Sequence, residues 1–274
     1  MNAMSSGFAT TGPALPSARI ASLAMPKSRV LRAYLIEAKS EFLHFARAPM
    51  FVIPFLLFPP ALYLFISVLV GRDAHGHPVI ATALFTGFAV FSITGPTLFG
   101  VSCPLAIERD AGLLRLKRAQ PAPTGCYLIA KTSMAALFAA ISMTSILLAA
   151  LGTHNLPLPA ARVLGIATLL IVGSIPFCAL GLCIGAYVRG SAAPGITHLI
   201  YLPMLYLSGL FFPLPPLMQK WALVWPAFHL DRLALGVAGV PIPMSIPPAL
   251  SVAYLLAITL GCGAVAIRRL ERVG

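Results

Sequence analysis

The residues of this sequence that could do chemistry are few and scattered. Its 274 residues include 7 acidic side chains, 6 histidines and 5 cysteines. No two cysteines have the CxxC spacing, and none stands with histidines at the spacing of zinc ligands. The phosphate-binding pattern GxxxxGK[ST] and the catalytic patterns GxSxG and HExxH are also missing from the sequence. We therefore predict no catalytic residue, no metal ligand and no cofactor site in this chain.

The nearest approach to a catalytic cluster is the group of His229, Asp231 and Arg232. Their spacing alone is weak support for catalysis, because an enzyme needs several such groups at one membrane face. We interpret Asp231 and Arg232, with Lys220, as the wet edge of a structure at the membrane surface. His198 is the one titratable residue expected inside a span, and we interpret it as a hydrogen-bonded packing residue.

Composition indicates the class of protein. The chain is 59% hydrophobic and 9% charged, with a mean hydropathy of +0.92, whereas soluble domains carry about 25% charged residues. A soluble fold cannot bury so much apolar surface, so a cytosolic enzyme, a secreted disulfide scaffold and a disordered chain are excluded. The net charge of +12 is ascribed to cytoplasmic loops rather than to a nucleic-acid partner.

Long stretches without a charged residue predict where the chain crosses the membrane. A spanning helix needs about 20 apolar residues, and six charge-free runs are long enough. The predicted all-α membrane protein therefore has six transmembrane helices, near residues 50–70, 79–106, 126–151, 163–187, 193–213 and 246–267.

The basic residues predict the orientation of these spans. With a cytoplasmic N-terminus, 15 of the 19 basic residues fall on the cytoplasmic side. The four on the other side are Arg72, Arg162, Lys220 and Arg232. This bias follows the positive-inside rule, so we expect both termini to be cytoplasmic.

The segment before the first span divides into two parts. Residues 1–27 are predicted to be a disordered cytoplasmic tail. Val30–Ala46 has helical periodicity, with apolar residues such as Leu31, Leu35 and Phe42 on one face and basic residues around the rest. An amphipathic basic helix of this kind suits the membrane interface.

The segment Glu108–Pro123, with the sequence ERDAGLLRLKRAQPAP, follows the second predicted span. Leu113, Leu114 and Leu116 alternate with basic residues, and prolines end the segment. A solvated loop has no reason to expose these leucines. We therefore predict a short amphipathic helix that docks on a soluble partner.

The segment Tyr201–Gly236 stays apolar but is interrupted by five prolines. Irregular backbone at membrane depth must be packed in protein or line a cavity. This pattern predicts a re-entrant helical hairpin on the outer side, between spans five and six.

In the order of these three segments the chain resembles the permease subunits of ABC transporters of the ABC-2 exporter type, with residues 28–274 as the transmembrane domain. The residues of the cytoplasmic loop that match the pattern of the family are Glu108, Gly112, Leu114, Pro121 and Lys131. Those of the late motif are Ser208, Gly209, Phe211, Phe212, Pro213 and Pro226.

The resemblance implies a non-catalytic permease subunit of an ATP-driven exporter in the cytoplasmic (inner) membrane of a bacterium. It implies a homodimer or heterodimer of permeases surrounded by lipid, and separate ABC ATP-binding subunits that hold ATP and Mg²⁺. The residues expected to couple to the ATPase are Glu108, Arg109, Gly112, Leu113, Leu114 and Leu116, and the late motif is expected to form the re-entrant, translocation region.

Two alternatives remain open. An ion-coupled secondary transporter would need acidic residues at mid-span or inverted repeats, and we find neither in the sequence. A polytopic membrane enzyme would need a clustered catalytic constellation. The sequence does not identify the cargo.

Overall fold

The computed structural model describes residues 27–74, 78–119, 126–153, 156–212, 214–241 and 246–273, and these residues form helices without strands. The predicted tail lies outside this part of the chain, apart from Lys27. The helices are α1 (Lys27–Ala46), α2 (Pro49–Ala74), α3 (Pro78–Asp110), α4 (Leu113–Ala119), α5 (Cys126–Gly152), α6 (Ala160–Val172), α7 (Ile175–Tyr187), α8 (Ala193–Leu207), α9 (Gln219–Ala222), α10 (Pro226–Ala238) and α11 (Pro248–Val273).

Among the described residues, five helical stretches are long and apolar enough to cross a membrane. They are Val52–Leu69, Pro78–Asp110, Tyr127–Gly152, Ala160–Tyr187 and Pro248–Arg272. The fourth stretch joins α6 and α7 across a short break at Gly173 and Ser174. The prediction of an all-α protein with several membrane spans is therefore confirmed.

The expected sixth span coincides with α8, which is shorter than the sequence pattern indicates. α8 has 15 residues and so extends about 22 Å, less than the roughly 30 Å thickness of a bilayer core. It ends at Leu207 because Gly209 adopts a left-handed conformation, with φ of 68°. The six-span arrangement stays a prediction, as does the re-entrant hairpin.

α3 is the central helix of the bundle. It has 33 residues, and most of its side chains from Ala81 to Ala106 are buried. The side chains of α3 are small, hydroxyl-bearing or apolar on every face of the helix. This is the pattern of a helix enclosed by other helices. α2, α5, α7, α8 and α10 pack around it.

The contact between α3 and α7 depends on two glycines. A Cβ atom at Gly181 or Gly185 would lie 2.8 Å from a backbone carbonyl oxygen of α3, that of Leu98 or Ser102 respectively. Small residues let helices approach this closely, and such packing stabilises helix pairs in lipid, where the hydrophobic effect between helices is absent. α3 and α7 therefore form a closely packed helix pair.

The remaining helices gather at the two ends of α3. α4 follows the C-terminal end of α3, and α1 meets the same end through Glu41 and α5. α10 packs at the N-terminal end of α3, between α3, α6 and α11. We refer to these two ends of the bundle as the α4 end and the α10 end.

Candidate functional site

A tight turn at Gly112 connects α3 to α4. Gly112 has φ of 73°, the left-handed conformation that glycine adopts without strain, and this ends α3 at Asp110. The N–H of Gly112 donates to the carbonyl of Arg109 at 3.0 Å, and the N–H of Arg115 donates to the carbonyl of Gly112 at 3.1 Å. The predicted helix in Glu108–Pro123 is thus present as α4, while residues 120–125, including Pro121, lie outside the described residues.

The last turn of α3 is bound to the end of α7. The Arg109 guanidinium donates to three backbone carbonyls there, those of Gly185, Ala186 and Val188. It also donates to Asp110 Oδ1 at 2.7 Å, and Asp110 Oδ2 accepts the N–H of Gly190 at 2.7 Å. The final carbonyls of a helix lack partners within the helix, so Arg109 satisfies them and fixes α3 to the turn between α7 and α8.

The three leucines of α4 have different surroundings. Leu114 is buried in a cluster that includes Phe45 of α1 and Met134 of α5. Leu113 and Leu116 are 42% and 64% exposed. Leu114 therefore packs against the chain itself, whereas Leu113 and Leu116 form an exposed apolar surface.

A buried lysine joins α1, α3 and α5 beside α4. Lys131 is completely buried, and its Nζ lies 2.8 Å from Glu41 Oε2 and 3.2 Å from Glu108 Oε1. The Tyr127 hydroxyl donates to Glu108 Oε2 at 2.7 Å, and Lys131 Nζ stands 4.9 Å from the centre of the Tyr127 ring. A buried charge is stable only with such partners, so these four residues, the Lys131 junction, lock three helices together.

α1 is amphipathic as predicted, but only its C-terminal half packs on the bundle. Phe42 and Phe45 contact the Phe138 ring, with centroids 5.1 Å and 4.6 Å apart. Leu31 and Leu35, predicted on the same face, are exposed. The first half of α1 therefore presents an unpacked apolar surface beside basic side chains, which suits a membrane interface.

The residues of the late motif lie at the α10 end. The Ser208 hydroxyl donates to the Met204 carbonyl, and Gly209 turns the chain after α8. Phe211 packs against Phe88 and Phe91 of α3, with ring centroids 5.1 Å and 5.3 Å apart. Phe212 is exposed, Pro226 begins α10, and Pro213 lies outside the described residues. About 20 residues of α3, roughly 30 Å, separate this motif from Glu108, so the two predicted groups form two separate regions.

The interpretation of Asp231 as part of a wet edge is wrong. Lys220 is exposed and Arg232 is partly exposed, but Asp231 is only 3% exposed, in the middle of α10. The reason is that α10 lies between α3, α6 and α11, so the face that carries Asp231 is inside the protein. His229 is also buried, and it bonds to the Ser251 hydroxyl and the Leu223 carbonyl.

Sequence reasoning missed Glu41 and Tyr127 as members of the Lys131 junction. Glu41 stands beside Phe42 and Phe45 on the packed face of α1, and a carboxylate on an apolar face is a signal of a buried partner. Lys131, six residues into an apolar span, is the matching signal. Within the described part of the chain, no group of three or more His, Cys, Asp or Glu residues could hold a metal ion.

Comparison with known proteins agrees with this architecture. The sequence profile of the family described as "ABC-2 type transporter" matches residues 32–239. The protein named "Putative transport permease YvfS" of Bacillus subtilis (strain 168) is 25% identical over 182 residues, which cover 65% of this chain and 74% of that protein. The residues that the family profile matches include α4, the Lys131 junction and the late motif. This multi-pass membrane protein therefore belongs to the ABC-2 type transporter family of transport permeases.

Proposed function

We propose that the chain is the permease subunit of an ATP-driven exporter, and that α4 docks on a separate ABC ATP-binding subunit. ATP and Mg²⁺ are bound by that partner, and this chain catalyses no reaction. The observation that carries the proposal is the pair of exposed leucines, Leu113 and Leu116, on a short helix. Polar contacts of Arg109 and of the Lys131 junction fix the end of α3, from which this helix starts.

The exposure of these two leucines supports docking. An apolar surface on a basic helix that projects beyond the bundle loses free energy in water, and burial against a partner recovers it. Leu114 fixes the helix to the chain itself, so α4 keeps its orientation before the partner arrives. A preoriented helix loses less conformational entropy on binding.

The distribution of basic residues supports an orientation in which the α4 end faces the cytoplasm. In this arrangement α8 is the sixth span, both termini are cytoplasmic, and α9 and α10 form the re-entrant hairpin on the outer side. The exposed apolar side chains of α2 and α11 contact lipid. ATP-binding subunits are cytoplasmic, so α4 lies on the side where its partner is found.

The contacts at the end of α3, just before α4, support a mechanical role. When the ATPase subunits close on ATP, they push on α4, and the Lys131 junction passes the displacement to α1 and α5. The Arg109 contacts pass it to α7. A rigid-body movement of this kind opens a path between two copies of the permease, identical or different, with the late motif near its outer end.

The test replaces Leu113 and Leu116 together by Ser. Burial of two half-exposed leucines contributes roughly 1.5–3 kcal/mol in total, so binding of the ATPase subunit should weaken at least about tenfold. The measurement is co-purification of the ATPase subunit with the permease from membranes, followed by transport in proteoliposomes that contain both subunits.

The matched control replaces Leu217 and Leu223 together by Ser. These leucines are 86% and 40% exposed at the α10 end. We expect this control to bind the ATPase normally. If both double variants co-purify with the ATPase to the same extent as the wild type, α4 is not the docking element.

A further inference from the structure

α10 is held firmly at its end of the bundle. It begins at Pro226, whose fixed φ suits the first turn of a helix. It ends before Gly239, and the guanidinium of Arg162 on α6 donates to the carbonyl of Ala238 at 2.7 Å. α10 is not one of the five candidate spans, and its packing against α3, α6 and α11 places Asp231 inside the protein.

Asp231 has too few partners for a buried carboxylate. Its Oδ2 lies 4.0 Å from an Arg232 nitrogen, the limit of an ion pair, and its Oδ1 accepts no hydrogen bond from the described residues. The Arg232 guanidinium is instead placed 4.9 Å above the Phe228 ring. An ionised carboxylate so poorly compensated would cost several kcal/mol.

The Thr86 hydroxyl of α3 faces Asp231 across the helix pair and lowers the pKa of its carboxyl. The Thr86 hydroxyl carries one proton, and it already donates to the carbonyl of Ala83 at 3.1 Å. If Asp231 is ionised, the carboxylate and the Ala83 carbonyl compete for this single proton. If Asp231 is protonated, the acid donates to Thr86 and Thr86 donates to Ala83, so every proton has an acceptor.

We propose that Asp231 is a proton-binding site, and that its neutral carboxyl holds α10 against α3. Ionisation releases the proton to water at the α10 end and leaves a carboxylate without a donor in the contact. The α10–α3 contact then weakens, so this part of the permease responds to pH.

The other charged and titratable groups around this contact have their own partners. On α10, His229 bonds to Ser251 and stacks on Tyr254 of α11, with ring centroids 4.2 Å apart. Arg162, on α6, binds the C-terminal end of α10. The acidic and basic residues of α3 are Glu108–Asp110, at the far end of the helix, and α8 has no acidic or basic residue other than His198. Among the described residues, the charge that acts on Asp231 is thus that of Arg232.

Burial raises the pKa of Asp231 to about 7, against the attraction of Arg232. An exposed aspartate has a pKa near 4, so the packed form of α10 binds a proton that the separated form does not bind between about pH 4 and 7. The α10–α3 contact is therefore strongest in acid, weakens as the pH rises through 7, and levels off above about pH 8. Between pH 5.5 and 7.5 the equilibrium should shift by about twentyfold.

The two tryptophans of the chain report on this region. Trp221 lies in α9 and Trp225 directly precedes α10. We would titrate the purified chain in detergent from pH 5 to 9 and follow the tryptophan emission. The wild type should show one transition with a midpoint near 7. Asp231→Asn, whose amide can donate to Thr86 at every pH, should show none and should resemble the acid form.

His229→Gln is the matched control, because His229 is the other titratable group of α10, and this variant should keep the transition. A second measurement does not depend on emission: the infrared carbonyl band of a protonated carboxylic acid should disappear with the same midpoint and be absent from Asp231→Asn. Absence of this band in the wild type at pH 5, or a fluorescence transition that survives in Asp231→Asn, would overturn the proposal.

Discussion

A buried ionisable side chain lies near each end of α3, Lys131 at the α4 end and Asp231 at the α10 end, and the two have different surroundings. At the α4 end, Lys131 has carboxylates at 2.8 Å and 3.2 Å and an aromatic ring beside it. At the α10 end, an Arg232 nitrogen lies 4.0 Å from Asp231 Oδ2, and Asp231 Oδ1 accepts no hydrogen bond from the described residues. Three helices supply the side chains of the first group, so opposite charges compensate each other there. Asp231 lacks such partners, so the neutral acid is its most stable state inside the protein.

The difference teaches what each region can do. Three helices locked by opposite charges move together, which suits transmission of force. A contact that depends on one proton can form and break, which suits a surface that must change shape. The contrast can be tested at either end of α3, and the loss of the Lys131 cation should have the largest effect.

Replacement of Lys131 by Met should destabilise the protein most. Met has a similar length, but the carboxylates of Glu41 and Glu108 would then face each other without the cation between them. Breaking a buried ion pair from one side costs about 3–5 kcal/mol. Thermal unfolding in detergent should therefore show a large decrease in the unfolding temperature of this variant.

The control for this experiment is Lys39→Met, because Lys39 is an exposed lysine of α1. If Lys131→Met and Lys39→Met unfold at the same temperature, the Lys131 junction contributes nothing to stability, and the contrast between the two ends fails.

Asp231→Asn should have a smaller effect that depends on pH. The pKa of Asp231 is raised to about 7 in the fold, so the folded protein binds more protons than the unfolded chain between about pH 4 and 7. The contribution of Asp231 to the free energy of unfolding therefore decreases by about 2 kcal/mol from pH 5.5 to 7.5 and then levels off. Asn cannot lose a proton, so this decrease should be missing from the variant.

The measurement is the difference in unfolding free energy between wild type and variant across this pH range, from denaturation in mixed micelles. A difference that stays constant with pH would mean that Asp231 has the same protonation state in the folded and unfolded protein.

Tyr127→Phe should have the smallest effect of the three. It removes the hydroxyl that donates to Glu108 at 2.7 Å but leaves the ring beside Lys131 and both ion pairs. We expect a loss of about 1.5 kcal/mol, the lower end of the range for a hydrogen bond to a charged group. Tyr187→Phe is the control, since the exposed Tyr187 keeps its ring under Arg269. Equal unfolding temperatures of the two variants would show that the hydroxyl of Tyr127 is dispensable.

The sequence predicted features that depend on local chemistry. Periodicity located α1, and charge-free runs located the long spans, because each reflects one segment and its solvent. The break after Asp110 was also predictable, from the glycine and the alternation of leucines with basic residues in α4.

The burial of individual side chains was not predictable in the same way, because it depends on which helices meet. Leu113, Leu114 and Leu116 look equivalent in sequence, yet only Leu114 is buried, since α1 and α5 approach α4 from one side. Asp231 looks like a surface residue beside Arg232, yet the face of α10 that carries it is covered by α3. α8 stops at Leu207 although apolar residues continue beyond it, because the backbone at Gly209 turns.

The Arg109 contacts have a further consequence for the mechanics of the molecule. Arg109 and Asp110 stand only a few residues before α4, and they hold the end of α7 and the N–H of Gly190, just before α8. The last turn of α3 therefore connects α4 to the end of α7 and to the turn before α8. In the mechanism that we propose, a displacement of α4 is therefore shared by α3, the end of α7 and the turn before α8, so these three elements shift as one unit.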